Sequence, residues 1–178
     1  MPILRRKVLA SALAALILTL PAHAQSIDAP NFTAISPTLA TSGQPTKQAL
    51  ATLGAQGFQA AIYLAPSTVP NAVKEEPELL AKQGIEFIQI PIPFGAPDES
   101  HFEALSAALT RLQERKVLVH CEISMRASTL VFLYRVIRLK EPPGTAYDAV
   151  ANVWSPRGPW RRLIVEQLAK NHITFEHY

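Results

Sequence analysis

Apolar and polar positions along this chain change period several times, and each change predicts a new element. From Asn31 to Thr41, Phe32, Ile35 and Leu39 are interrupted by Pro37, which predicts two short strand pieces. Ser42-Gly43-Gln44-Pro45 reads as a turn. Pro45 is placed to open a helix over Lys47–Gln56, with Leu50 and Leu53 on one face and Gly57 as its stop. Phe58–Leu64 is a β-rich apolar run and predicts a buried strand. Asn71–Gln83 predicts a helix with Gly84 behind it, and Ile85–Ile92 a strand ended by Pro91 and Pro93. After the loop Gly95-Ala96-Pro97-Asp98, Phe102, Leu105, Leu109 and Leu112 recur at helical spacing within Glu99–Arg115. Val117-Leu118-Val119 is a short continuous apolar run of the kind buried in parallel sheets. Arg126–Leu139 predicts an apolar helix, and Thr145–Trp154 and Pro159–Asn171 two more. Strands alternating with helices predict an α/β fold: one domain with a mainly parallel central sheet flanked by helices.

The first residues carry a different pattern. Arg5, Arg6 and Lys7 precede an apolar run from Val8 to Leu20, and Pro21-Ala22-His23-Ala24 supplies small residues where a signal peptidase reads. This predicts a secretory signal over residues 1–24, a mature domain over 25–178, and a periplasmic or secreted location. The run is short for a bilayer span, which needs about 20 residues. With the leader cleaved, no membrane association is expected. The leader also changes the charge. Removing its three cations from 17 Lys and Arg leaves 14, equal to the 14 Asp and Glu. A neutral domain gives no reason to expect a nucleic-acid partner.

A single cysteine, Cys121, remains in a chain expected to be exported. One thiol cannot build an internal disulfide framework, so it is either an apolar filler or a reactive group. Its neighbours favour reactivity. The apolar strand runs into His120-Cys121, four residues pass, and Arg126 begins a helix. Ligands bind outside the carboxyl ends of parallel strands. A helix N-terminus offers free N–H groups and a partial positive charge, and Arg adds a planar fork for two oxygens. Such a loop, Glu122-Ile123-Ser124-Met125-Arg126, binds an oxyanion, and the same positive field favours the thiolate of Cys121 as a nucleophile.

Val117-Leu118-Val119-His120-Cys121 with the following Arg126 resembles the protein tyrosine phosphatase superfamily, dual-specificity-like branch. The chain is more closely similar to a bacterial phosphatase-like group related to the phosphatase-like domain of beta-lactamase-hydrolase-like proteins. Gly43-Gln44-Pro45, Ile90-Pro91-Ile92-Pro93, the His-Cys-x4-Arg loop and Val153-Trp154-Ser155-Pro156 carry that similarity over roughly residues 31–165. It implies a cysteine-phosphatase-like fold, a phosphorylated substrate (protein or small molecule), no cofactor, and catalysis by Cys121 and Arg126. Two features depart from the wider superfamily: the loop has four rather than five residues between Cys and Arg, and it contains no glycine. A glycine-free loop is expected to form a tight anion nest with difficulty, and Glu122 sets a carboxylate beside the anion. The short loop also resembles rhodanese sulfurtransferases. Sulfur transfer, or a phosphate-binding module with little catalysis, therefore stand as alternatives.

The resemblance implies a general acid on the loop before the Glu99 helix. Asp98 is the carboxylate best placed, and equally an N-cap for that helix. His120 is expected to shape the loop by hydrogen-bonding nearby backbone. Ser128 either steadies the thiolate or caps the helix. Gln44 either lines the mouth of the site or stands exposed in its turn. Arg157, Arg161 and Arg162 are expected to be solvated helix positions, and Trp154 and Trp160 core anchors. His101, His172 and His177 have no metal-ligand spacing, so no metal is expected.

Overall fold

The computed structural model describes residues 27–176; residues 1–24, expected to form a secretory signal, and His177 lie outside them. Five strands, β1 (Thr33–Ser36), β2 (Leu39–Ser42), β3 (Ala60–Tyr63), β4 (Glu86–Gln89) and β5 (Val117–His120), form one sheet in the order β1-β2-β5-β3-β4. Only the β1–β2 pair is antiparallel; its hairpin turns at Pro37-Thr38, and the other neighbours run parallel. Six helices surround the sheet: α1 (Lys47–Leu50), α2 (Glu76–Ala81), α3 (Glu99–Arg111), α4 (Met125–Ile137), α5 (Pro143–Ala151) and α6 (Gly158–Lys170). None of the described helices is long and apolar enough to cross a membrane.

The two-residue period of the strands divides the core. Leu118, Ala40 and Ala61 face one side, where Leu50, Leu53 and Leu80 of the α1–α2 region cover them. Val117, Val119, Leu39, Ala60 and Ile62 face the other side, under α3 to α6. Alternation is hidden in the sequence because both faces are buried, which makes β5 a continuous apolar run. Helix α4 is buried from Arg126 through Ile137, so it is the central helix of its layer.

Several expected elements are shorter than their patterns. The helix expected over Lys47–Gln56 stops at Leu50, and a turn of 3₁₀ helix at Gly54–Gln56 completes the segment. There the Gln83 side chain accepts from the Gly54 amide and donates to the Leu50 carbonyl, replacing intrahelical bonds. The helix expected from Asn71 begins only at Glu76, with Pro77 in its first turn. Beyond β4 the chain keeps pairing: Ile90 and Ile92 amides donate to the Tyr63 and Leu64 carbonyls. This extension brings the Ile90-Pro91-Ile92-Pro93 segment to the same end of the sheet as Cys121.

Candidate active site

All four parallel strands end on one side, so their next residues meet there. Cys121 leaves β5 with its amide donating to the Ser42 carbonyl at 3.2 Å. The residue is fully buried. Beyond it the loop Glu122–Ser124 lies along the end of β2. Gly43 and Ile123 form an isolated antiparallel bridge, and the Gln44 amide donates to the Glu122 carbonyl at 3.0 Å. Side-chain amides pin the same loop from outside: Asn71 donates to Glu122 O and Asn31 to Ile123 O, at 3.2 and 2.9 Å. Gly43 is required by this packing. A Cβ there would stand 2.7 Å from the Glu122 carbonyl oxygen and 3.0 Å from Ile123 Cα.

The absent glycines do not prevent the loop from turning. Ser124 takes the left-handed conformation (φ 72°, ψ −3°) just before α4. That conformation costs a non-glycine residue about 1–2 kcal/mol. Its buried hydroxyl makes no hydrogen bond among the described residues. The Ser128 amide donates back to Ser124 O at 2.8 Å, leaving the earlier amides of the helix without intrahelical partners. The Ser128 hydroxyl donates to Met125 O at 3.3 Å, so it serves the first turn of the helix.

Arg126 is held from three sides. Its Nε donates to the Ile92 carbonyl at 3.0 Å and Nη1 to Glu122 Oε2 at 3.1 Å, while the Phe94 ring lies 5.1 Å from Cζ. Only about 4% of the guanidinium side chain is exposed. An aromatic group fixes Phe94 in turn. Trp154 and Trp160 stand 5.7 Å from its ring, and Trp160 Nε1 donates to the Phe94 carbonyl at 2.8 Å. Trp154 donates to Thr129 of α4, so both tryptophans anchor the core, as their residue type suggests. Over this end lies a cavity of about 230 Å³ lined by Asn71, Phe94, Glu122, Ile123, Met125 and Arg126.

Beneath the loop runs a buried polar chain that sequence patterning missed. Gln44 Nε2 donates to Glu76 Oε2 at 2.8 Å, and Glu76 Oε1 stands 2.8 Å from His120 Nε2. The second contact is short, but its geometry is not that of a hydrogen bond. The His120 ring stacks on Tyr63 at 4.9 Å. Gln44 is buried and does not line the cavity, and the His120 ring lies against Glu76 and Tyr63 with no hydrogen bond to backbone among the described residues. Burial, with help from the charges of Glu76, Cys121 and Glu122, pushes the Tyr63 phenol up to about 12. The signal for Glu76 was weak: a carboxylate in a mixed segment, with nothing local to mark it as buried.

Asp98 lies elsewhere. It caps α3, accepting from the His101 amide at 3.2 Å and the Ser100 hydroxyl at 2.6 Å, while its own amide donates to His101 Nδ1. These bonds, Ser100 first, hold its carboxyl below the usual range. Its side chain is 60% exposed and does not line the cavity. Arg157, Arg161 and Arg162 are exposed at the start of α6. Among the described residues no group of His, Cys, Asp and Glu could hold a metal ion.

The fold recurs in known proteins. A candidate phosphatase (DUF442) from Shewanella putrefaciens CN-32 superposes with a TM-score of 0.74 at 26% identity, covering 80% of this chain and 94% of that one. The fold is shared with PTPMT1 in complex with PI(5)P, at a TM-score of 0.67 and 17% identity over 79% and 96% of the two chains. It is shared also with the core catalytic domain of the PP-IP phosphatase SIW14 from S. cerevisiae, at 0.62 and 16% over 83% and 96%. No curated relative matches the chain. Residues 22–153 match the model of a phosphatase family, and the chain belongs to that family, described as DSP-PTPase phosphatase fused to NAD+ kinase.

Proposed function

We propose that this phosphatase is cysteine-dependent, with Cys121 as nucleophile and Arg126 as the anion clamp. One observation carries the reading: the buried thiol at the end of β5 directly precedes the loop and helix N-terminus whose Glu122, Ile123, Met125 and Arg126 line one cavity, and that arginine is buried and anchored on Ile92 O. The amides of the Glu122–Arg126 loop and the guanidinium fork complement the three non-bridging oxygens of a phosphoryl group. The sulfur then forms an S–P bond as the P–O bond to the leaving group breaks, and water hydrolyses the thiophosphate. Ser128, bonded to the first turn, and His120 on Glu76 serve as positioning residues, and Gln44 steadies Glu76.

The substrate is a phosphomonoester whose carbon portion meets Phe94, Ile123 and Met125. Phe94 and Ile123 are large apolar side chains left 42% and 44% exposed beside the anion site. Related folds have been captured with PI(5)P and with pTyr, and both carry a phosphomonoester group. The basic, apolar, small-residue order of residues 1–24 supports export to the periplasm or beyond. Balanced charge outside that segment supports action on a protein or small molecule rather than on nucleic acid.

Turnover of p-nitrophenyl phosphate by reduced protein, abolished in Cys121→Ser, is the expected result. Absence of turnover throughout about pH 5 to 8 would refute the proposal. A persulfide on Cys121, formed from thiosulfate, would move the assignment to sulfur transfer.

A further inference from the structure

A phosphoryl transfer to sulfur leaves an oxygen that must be protonated unless it is a very stable anion. Asp98 has its carboxylate tied into a helix cap and stands outside the cavity. Among the six residues that line the cavity, one bears a carboxyl group: Glu122. It is the neighbour of Cys121 in sequence, its side chain is 31% exposed, and Oε2 lies 3.1 Å from Arg126 Nη1. The carboxylate thus occupies the guanidinium that a phosphate needs.

We propose that Glu122 is the general acid of this reaction, and that the arriving phosphate dianion causes it to take up its proton from solvent. The inference rests on the phosphatase reading given above. Its cause is electrostatic. In the free site one cation, Arg126, neutralises one carboxylate. A phosphate dianion takes over that cation and leaves Glu122 facing added negative charge in a partly dehydrated cavity, where a proton relieves the repulsion. The other groups around it do not compensate. Asn71 and Met125 are uncharged, as are the aromatic residues of the Phe94 group. Cys121 contributes a further negative charge as thiolate. Tyr63, on β3, is held neutral by burial, and the buried Glu76 behind it adds no positive charge.

Displaced from Arg126, the protonated side chain is free to donate to the leaving oxygen. The S–P bond forms while the P–O bond breaks, its electron pair goes to the leaving oxygen, and Glu122 supplies the proton. The resulting carboxylate takes a proton from the water that next attacks phosphorus. The S–P pair returns to sulfur, releasing inorganic phosphate. One ester and one water give one alcohol or phenol and one phosphate, with Glu122 restored.

The test compares p-nitrophenyl phosphate with phenyl phosphate, whose leaving group is more basic. In Glu122→Gln, kcat/KM on phenyl phosphate, which reports the steps through cleavage of the P–O bond and not the later hydrolysis common to both esters, should fall by about 10²-fold or more, and far less on p-nitrophenyl phosphate. The alkaline limb of the kcat/KM–pH profile should vanish with it. A second measurement is independent of turnover: calorimetry of sulfate binding to Cys121→Ser in buffers of different ionisation enthalpy. Sulfate remains a dianion at these pH values, so proton uptake belongs to the protein. Uptake in Cys121→Ser that disappears in Cys121→Ser with Glu122→Gln is expected. Equal losses on both esters, the steep phenyl phosphate loss in Asp98→Asn instead, or proton uptake that survives Glu122→Gln would each overturn the acid assignment alone. A wild-type protein without any turnover would overturn the phosphatase reading together with the acid role.

Discussion

Replacing Gly43 with alanine adds one carbon at the place where the end of β2 touches the loop that follows Cys121. The added Cβ would stand 2.7 Å from Glu122 O, 2.9 Å from Pro30 Cβ and 3.0 Å from Ile123 Cα. Each is several tenths of an ångström inside ordinary contact, and two of the three neighbours are backbone. No rotamer change relieves such contacts, so the loop must move away from β2. Its bridge to Gly43 and the Gln44 amide bond would be lost or lengthened. Overpacking of this kind costs about 1–3 kcal/mol, which corresponds to a Tm decrease of about 2–10 °C for a domain of this size. The functional loss should exceed the stability loss. A shift of about 1 Å at a reacting group can cost about 10²-fold in rate, and the moved segment carries the amides proposed to bind the anion. Gly144, in the first turn of α5, is the control: nothing lies within 4 Å of an added Cβ, and alanine there should stabilise by about 0.5 kcal/mol. Thermal denaturation and p-nitrophenyl phosphate kinetics on the two variants make the comparison. A Gly43→Ala protein with wild-type Tm and wild-type kcat would refute the claim that backbone contact at Gly43 sets the loop.

Three further outcomes follow from the same geometry. Glu76→Ala strips Gln44 of a buried acceptor and leaves a void beside the His120 ring, so urea denaturation should show a loss of about 1–3 kcal/mol, with Glu76→Gln losing less. Tyr63→Phe removes a buried hydroxyl that has no hydrogen-bond partner among the described residues, so Tm should hold or rise; in the wild-type protein, ultraviolet titration should show this phenol ionising only near pH 12. Asp98 has its carboxyl held below the ordinary value by Ser100 and the His101 amide. Its contribution is present above about pH 4 and fades as pH falls through the lower folded value. Asp98→Asn should therefore be less stable at neutral pH and show a shallower stability loss below about pH 4, read by Tm against pH.

The parts of this protein that were legible in its sequence are those fixed by local pattern. Val117-Leu118-Val119 could only be a buried strand, and the residues after it had to emerge at a carboxyl end of the sheet; that placed Cys121 and Arg126. The α/β alternation followed from runs whose period changed at Gly and Pro. What escaped was decided by distant partners. Gln44 looks like a turn residue, yet Glu76, 32 positions away, draws it inside. The helix pattern from Lys47 ended early because Gln83 satisfies Gly54 and Leu50 from another segment. Asp98 offered two readings, acid and cap, with the cap the stronger, and the structure shows it capping α3 and outside the cavity lining.

The loop itself shows how a segment without glycine makes a tight turn into a helix. A tight turn into α4 needs one residue of positive φ, and Ser124 supplies it at a cost that surrounding bonds offset. Gly43 lets the loop lie flat against β2, Asn31 and Asn71 hold its carbonyls from outside, and Ser128 closes the first turn. The freedom usually placed within the loop has been moved to its neighbour on β2. The arginine has been treated in the same way. Instead of being left open to solvent, it is fixed by Ile92 and Phe94 and covered by Glu122. A phosphate then binds by exchanging one anion for another. That exchange weakens binding compared with an empty clamp, but it leaves a displaced carboxyl group beside the reacting centre at the moment when a proton is needed.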